Sequence, residues 1–280
     1  MKIITDNATL KKYIPNHFTE SEGESTFFEK LTPWLLASED WMAGEIVGDS
    51  IDDIIAEDGT LYSHIAFAVV ADALYKAVPS LDLVLTPNGF GVISTSNVAP
   101  ASKERVERLR QTLLSSRDAQ ISLVLDALLR DQSWRESQQG IKFTSSMFMH
   151  PEDVEPNCGF DKFLKFRSDA LLVEAELAVK AVSPELMAAL RSVRRISATL
   201  PQDMLSARIM NLVRSIVEGK GNVDNAQAMS DIVQLIRTSP EYYPEWQGTA
   251  TADLFTPPQP VRERQLDAYY RGQNRYRDSA

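Results

Sequence analysis

Residues 81–100 constrain the fold most, because two short apolar alternations flank a tight turn there. The alternating apolar residues are Leu83, Leu85, Phe90 and Val92. Between them Pro87 fixes its own φ, and Asn88 and Gly89 tolerate the left-handed region of backbone space. This pattern predicts a β-hairpin near residues 81–95.

A hairpin of two strands cannot bury both of its faces alone. The flanking sequence has helical periodicity, so the hairpin must pack on the chain's own helices or on another copy of the chain. The sequence leaves both alternatives open. In the second case the hairpin is an arm that binds a partner, through Leu83, Leu85, Pro87, Asn88, Gly89, Phe90 and Val92.

The remaining sequence predicts a mainly α-helical protein made of one or more helical bundles. Apolar residues recur at helical spacing in residues 61–78 and in the long segment after Pro100. Ser183 and Pro184 are typical of a helix start, and Gly219 is typical of a helix end. The predicted units are an N-terminal helical module with the hairpin (1–131), a connecting segment (132–159), a C-terminal helical module (160–246) and an extended tail (247–280).

An offset of about 136 in the numbering places apolar positions of the first predicted helix over those of a later one. Phe27 then coincides with Phe163, and Ile46 coincides with Val182. Such an offset is typical of a tandem repeat, but any two amphipathic helices can be aligned this way. Two similar halves and a chance alignment therefore both stay open.

Charge is distributed unevenly along a chain whose formal net charge is -10. Positions 1–60 carry 13 acidic and 4 basic side chains, whereas positions 262–280 carry 5 arginines and 3 acids. An acidic front and a basic, aromatic tail either pair between subunits or are solvated surfaces. Phe255, Tyr269 and Tyr270 are the predicted partner contacts of the tail. No broad basic stripe is present in the sequence, which argues against sequence-specific nucleic-acid binding.

Motifs of catalytic and metal sites are missing from the sequence. The three histidines, His17, His64 and His150, lie far apart, and there is no HExxH pair, GxSxG elbow or GxxxxGK[ST] loop. A single cysteine, Cys158, excludes an internal disulfide and a cysteine-based metal cluster. We therefore expect no catalytic residue, no cofactor and no metal.

The sequence also predicts a protein without membrane contact. By inspection, we expect no apolar run long enough for a bilayer span, and the first residues lack the apolar region of a signal peptide. We therefore expect synthesis and folding in the cytoplasm.

The segment LDLVLTPNGFGVISTSNVAPASKERVERLR, with FFEKLTPWLLASEDW and YSHIAFAVVADALYKAVP before it, resembles an uncharacterised family from Bacteroidetes genomes, prophages and gut phages. The resemblance covers the chain up to about position 130. Proteins of this kind look like head-tail connectors, helical adaptors that ring the portal in the phage neck. The resemblance implies a structural virion protein that forms a ring of copies and binds the portal protein and tail or neck proteins. The alternative is a non-structural phage or host protein, a regulatory or scaffolding module that binds other proteins.

Overall fold

The computed structural model describes residues 2–14, 26–81, 83–86, 89–92, 102–219 and 222–256. Helices dominate this part of the chain, which confirms the prediction of a mainly α-helical protein. The helices are α1 (Asn7–Lys12), α2 (Phe27–Met42), α3 (Ile51–Glu57), α4 (Thr60–Ala77), α5 (Lys103–Leu128), α6 (Gln132–Glu136), α7 (Gln138–Thr144), α8 (Phe160–Leu177), α9 (Pro184–Val193), α10 (Leu200–Val217), α11 (Asn222–Thr238) and α12 (Ala250–Asp253).

Two short strands, β1 (Leu83–Thr86) and β2 (Gly89–Val92), form an antiparallel pair between α4 and α5. The register places Leu83 opposite Val92 and Leu85 opposite Phe90. Pro87 and Asn88 lie outside the described residues, and so do the side chains of both strands. The role of this segment as a binding arm therefore stays a prediction.

Helix α4 is the centre of the N-terminal bundle, packed between α2 and α5. Its buried residues include five alanines, whose small side chains let neighbouring helices approach closely. Contrary to the expectation from sequence, Thr60–Ser80 is long and apolar enough for a membrane span. More than half of that segment is buried inside the fold, so its hydrophobicity fits a core helix.

Helices α2 and α8 end in the same unusual way. Each continues into a π-helical turn, Ala43–Val47 after α2 and Ala178–Val182 after α8. A residue with positive φ follows each turn, Gly48 at 74° and Ser183 at 75°. Because π-helical turns account for well under 1% of residues in globular proteins, this ending is a specific feature that the two helices share.

Each of these two helices also carries a buried glutamate that holds an extended segment of chain. Glu39 accepts hydrogen bonds from the backbone N–H groups of Lys2 and Ile3, the latter at 3.1 Å. Glu174 accepts the backbone N–H of Met147 at 3.0 Å. Glu174 follows Glu39 by 135 positions, and the same offset separates the two π-helical turns.

A tryptophan closes each π-helical turn. Trp134 donates its indole N–H to the carbonyls of Ile46 and Val47, at 3.0 and 3.1 Å. Trp246 donates its indole N–H to the carbonyl of Ala181, at 3.1 Å. The indoles thus satisfy carbonyl groups at a helix end, where the helical hydrogen-bond ladder stops.

The predicted connecting segment, 132–159, contains α6, α7 and a fully buried extended stretch at residues 146–150. An extended stretch has no helical hydrogen bonds of its own, so side chains supply its partners. Arg167 donates to the carbonyl of Phe148 at 3.1 Å, and Asp153 accepts from the backbone N–H of Met149 at 2.8 Å. Buried apolar residues of this segment and of both predicted modules form a single core cluster.

Residues 247–256, which the sequence assigns to the tail, include α12. Its Thr251 is buried and donates its hydroxyl to the carbonyl of Val179 at 3.1 Å, so α12 packs on the second π-helical turn. The rest of the predicted extended tail, 257–280, lies outside the described residues.

Candidate functional site

Among the predicted partner contacts, Phe255 is described with its side chain. It is half-buried and stacks on Trp246, with ring centroids 6.3 Å apart. Tyr269 and Tyr270 lie outside the described residues. The helices near Phe255 form an open cleft. A matching cleft between other helices is filled by a part of the chain itself.

We call the filled copy the first socket. It lies between α2, α4 and α5, and the start of α8 enters it. Phe160 is 1% exposed, and its ring meets the ring of Trp41 edge-on with centroids 5.9 Å apart. The next residue, Asp161, accepts a hydrogen bond from Arg117 at 2.9 Å. The residues that form the socket are Ser38, Trp41, Asp72, Lys76, Arg117 and Asp118.

The charge at the centre of the first socket is Arg117, whose side chain is almost fully buried. It contacts Asp72 at 3.2 Å and Asp118 at 2.8 Å in addition to Asp161. Burial disfavours the charged guanidinium, but hydrogen bonds and charges of Asp161 and Asp118 outweigh it and raise the pKa of Arg117. Burial raises the pKa of the Asp118 carboxyl, against the effect of Arg117. A permanently charged arginine among carboxylates joins helices and has no proton to exchange near neutral pH.

A second contact extends this joint along α5. His150, fully buried, lies with its Nε2 3.0 Å from the carbonyl of Ser122, while its Nδ1 accepts the backbone N–H of Glu152. Both ring nitrogens of His150 thus have backbone partners. One turn further, Arg195 donates to Asp126 at 3.1 Å. Residues of the connecting segment and of the loop after α9 thus contact α5 between its middle and its end.

Helices α10 and α11 repeat the burial pattern of α4 and α5. All six buried residues of α10 fall on buried residues of α4 when the numbering is shifted by 140. A shift of 108 places the buried residues of α11, Ile232, Val233 and Ile236, on Val124, Leu125 and Leu128 of α5. These offsets identify which positions of α10 and α11 correspond to the first socket.

The corresponding positions line an open cleft of about 310 Å³, which we call the second socket. Leu212 takes the place of Asp72, Asn225 that of Arg117, and Ala226 that of Asp118. The second socket is therefore mostly apolar where the first is charged. Its lining residues are Val173, Glu176, Leu177, Lys180, Leu212, Ile216, Gly219, Asn225, Ala226 and Met229.

A second cleft, of about 600 Å³, adjoins the second socket along α11. The two clefts share Ala226 and Met229, and the second one ends at Phe255. We call it the α11 groove. Its Ser230 and Gln234 correspond to Ser122 and Asp126, the positions of α5 that contact His150 and Arg195. The surface that is covered in the first half is thus open in the second.

Exposed apolar side chains are also concentrated in the C-terminal half. Eight of the eleven large ones described lie beyond Phe160, which makes this half the richer in candidate contacts. Leu172 of α8 is 76% exposed, and Val179, in the π-helical turn that follows α8, is 63% exposed. The others in this half are Ile196, Leu200, Met204, Ile216, Tyr242 and Leu254.

Candidate chemistry is sparse in the described part of the chain. Within it, no group of three or more histidine, cysteine, aspartate or glutamate side chains is placed to hold a metal ion. Cys158 is buried, and burial raises the pKa of its thiol, which disfavours the reactive thiolate.

Sequence reasoning did not find the two sockets, although one signal was present. Apolar residues alone suggest an offset of about 136, at which Glu39 does not coincide with Glu174. At 135 the two glutamates and the two π-helical turns coincide. A pair of acidic residues at matching core positions was therefore the signal available in the sequence.

Comparison with known proteins gives a family match for part of the chain. Residues 21–144 match a family of unknown function (DUF6712). No curated protein matches the chain, and no solved structure matches it. The matched region is less than half of the chain and ends at Thr144, the last residue of α7. Over α2 to α7, the chain is therefore similar to this family.

Proposed function

We propose that this chain is a structural adaptor of a tailed-phage neck, a head-tail connector without enzymatic activity. It assembles as a ring of copies and binds the portal protein and tail or neck proteins in the virion. The resemblance of the chain up to about position 130 to phage and prophage proteins supports this assignment. The structural observation that carries it is the exposed apolar surface of the C-terminal half.

That surface costs free energy in water unless a partner covers it. Leu172 lies on α8 and Val179 in the π-helical turn that follows it, and Leu200 and Met204 lie one turn apart at the start of α10. Covering a large apolar side chain contributes roughly 1.5–3 kcal/mol. Monomeric proteins rarely expose extended apolar patches, so this half is suited to an assembly contact.

The use of buried charges also supports a structural role. Glu174 binds Arg191 at 2.7 Å as well as the backbone of the buried stretch. Asp153 binds Arg194 and Arg195, at 2.6 and 3.0 Å. These charged groups hold segments of the chain together, as the parts of a rigid building block must.

We further propose that the two halves are tandem copies of one helical module, with the hairpin as an insertion in the first copy. Three independent features support this: the buried glutamates at an offset of 135, the two π-helical turns, and the tryptophans that close them. The family match ends where the first copy would end, at Thr144. A repeated module presents related surfaces at two places, which suits a protein that joins different neighbours.

The hairpin between α4 and α5 is then the arm that reaches the next subunit of the ring. Leu83, Leu85, Phe90 and Val92 occupy directly opposed positions in the register of β1 and β2. Alternating apolar residues in a lone two-stranded ribbon need cover from another surface.

Electron microscopy of virions, combined with mass spectrometry of purified particles, tests this function. We expect a closed ring of this chain below the portal and co-purification with portal or tail proteins. Absence of the chain from virions, with a host factor co-purifying instead, would favour the regulatory or scaffolding alternative. A substrate screen that found turnover would overturn the assignment.

A pair of matched variants locates the contact. Changing both Leu172 and Val179 to Asp should leave folding intact and prevent incorporation into particles, because charges would replace the apolar contact. The control is Leu123→Asp, since Leu123 is exposed on α5 of the first half. Equal incorporation of both variants would show that Leu172 and Val179 are not part of the proposed assembly contact.

A further inference from the structure

We propose that the second socket and the α11 groove are the docking site of the chain's own C-terminal segment, residues 257–280. Tyr269 fills the socket, and the residues before it follow the groove. This proposal depends on the two sockets and not on the assignment to a phage neck.

The filled socket of the first half provides the template. There the chain leaves α7 after Thr144, passes along α5 and inserts Phe160 between α2, α4 and α5. Phe160 follows the last residue of α7 by 16 positions. Tyr269 follows Asp253, the last residue of α12, by the same 16 positions. The same length of chain thus brings an aromatic residue to each socket.

The C-terminal segment follows α12, whose end lies beside the α11 groove. Phe255 lines the α11 groove, and that groove shares Met229 with the second socket, so an open surface leads from α12 to the socket. Tyr269 follows Thr256 by 13 positions. When extended at about 3.3 Å per residue, this part of the chain spans roughly 40 Å. That distance exceeds the length of α11, which rises about 1.5 Å per residue. The segment is therefore long enough.

The chemistry of the second socket matches a tyrosine pair better than a charged residue. In the first socket Arg117 balances Asp161, which follows Phe160. In the second socket Asn225 takes the place of Arg117, so a carboxylate at that point would lack its cation. The residue that follows Tyr269 is Tyr270, which is neutral.

The rim of the socket suits phenol hydroxyls. Glu176 and Lys180 form an ion pair at its edge, next to the apolar wall of Leu177 and Ile216. A tyrosine needs such a combination, an apolar wall for its ring and a polar partner for its hydroxyl. Because the tail belongs to the same chain, its effective concentration at the socket exceeds that of a separate partner in dilute solution.

Cysteine cross-linking in the full chain tests the docking directly. In a Cys158→Ser background, Met229→Cys is combined with Tyr269→Cys, and mild oxidation should give a disulfide within one chain. Ile141→Cys with Tyr269→Cys is the control, since Ile141 is exposed on α7 of the other half. A disulfide that forms only between two chains would show that a second copy occupies the site. A disulfide yield no higher than that of the control would show that the tail does not occupy it. Either result overturns the proposal.

Hydrogen exchange gives a second measurement that needs no cysteine. In the full chain, changing Tyr269 and Tyr270 to Ser should speed amide exchange in the first turns of α11 by at least about tenfold, since docking contributes more than about 1.4 kcal/mol to their protection. The control is Tyr276→Ser, which changes a tail tyrosine six positions further on and should leave exchange unaltered. Unchanged exchange in the double variant would overturn the proposal.

Discussion

The two halves of the molecule place the same elements around their sockets and differ in what occupies them. Around α5 the first socket is charged and is closed by Phe160 and Asp161. Around α11 the second socket is apolar and open within the described part of the chain. Related helix positions thus form a closed joint in one place and, in our proposal, a docking surface in the other.

The difference in polarity fits these two uses. A buried cluster such as that of Arg117 requires one geometry, because each charge must find its partner, and this favours a fixed joint. An apolar cleft tolerates small changes of position and can release its occupant into water at moderate cost. We therefore expect the contact at the first socket to last longer than a contact at the second.

The largest expected difference between the halves concerns the buried glutamates. Glu174→Ala leaves Arg191 without its carboxylate and the N–H of Met147 without its acceptor, and should cost about 3–5 kcal/mol of unfolding free energy. Glu39→Ala removes the acceptor of two backbone N–H groups and should cost about 1–3 kcal/mol. Urea unfolding followed by circular dichroism measures both.

Glu176→Ala is the control for this comparison, two positions after Glu174 on α8. Its carboxylate is exposed in a surface pair with Lys180, so the variant should stay within about 0.5 kcal/mol of the parent. If Glu39→Ala were as costly as Glu174→Ala, the N-terminal segment would be as tightly held as the central stretch, and the proposed asymmetry would be wrong.

A smaller difference is expected for the tryptophans that close the π-helical turns. Trp134→Phe removes a donor shared by two carbonyls and should cost about 2–4 kcal/mol, including the cavity it leaves. Trp246→Phe removes a single bond and should cost about 1–2 kcal/mol. Thermal unfolding of both variants tests whether Trp134→Phe is the more destabilising. Trp34→Phe, which changes a half-buried tryptophan, is the control. A greater loss at Trp246 would contradict this order.

Much of the fold follows from residues that act locally. Ser183 and Pro184 start α9 as predicted, because the Ser183 hydroxyl accepts the backbone N–H of Leu186 and proline fits the first helical turn. The periodic apolar residues of 61–78 likewise become α4. In both cases neighbouring residues decide the structure.

The sockets could not be predicted in the same way, because they depend on contacts between distant residues. The segment around His150 has no helical periodicity, yet residues 146–150 are fully buried, since Arg167 and Asp153 satisfy the backbone of this stretch from other elements. The meeting of Phe160 with Trp41 joins positions 119 apart in the chain. Local propensity carries no information about such pairs.

The smallest expected effect is at alkaline pH and compares one tyrosine from each half. Tyr62 donates its hydroxyl to the carbonyl of Ile3, and Tyr243 donates to that of Pro201. Burial raises the pKa of both hydroxyls above 10; carboxylates near Tyr62 raise it further, whereas Arg208 opposes the rise at Tyr243.

The unfolded chain loses these protons first, so their contribution to stability is complete below pH 10 and declines as the pH rises through the raised pKa values. We therefore expect the melting temperature of the parent to fall as the pH rises above 10. The fall should be shallower in Tyr62→Phe, less altered in Tyr243→Phe, and unaltered in the control Tyr242→Phe, whose ring is exposed. If Tyr243→Phe flattened the curve more than Tyr62→Phe, the acidic surroundings of the first half would not be what separates the two tyrosines.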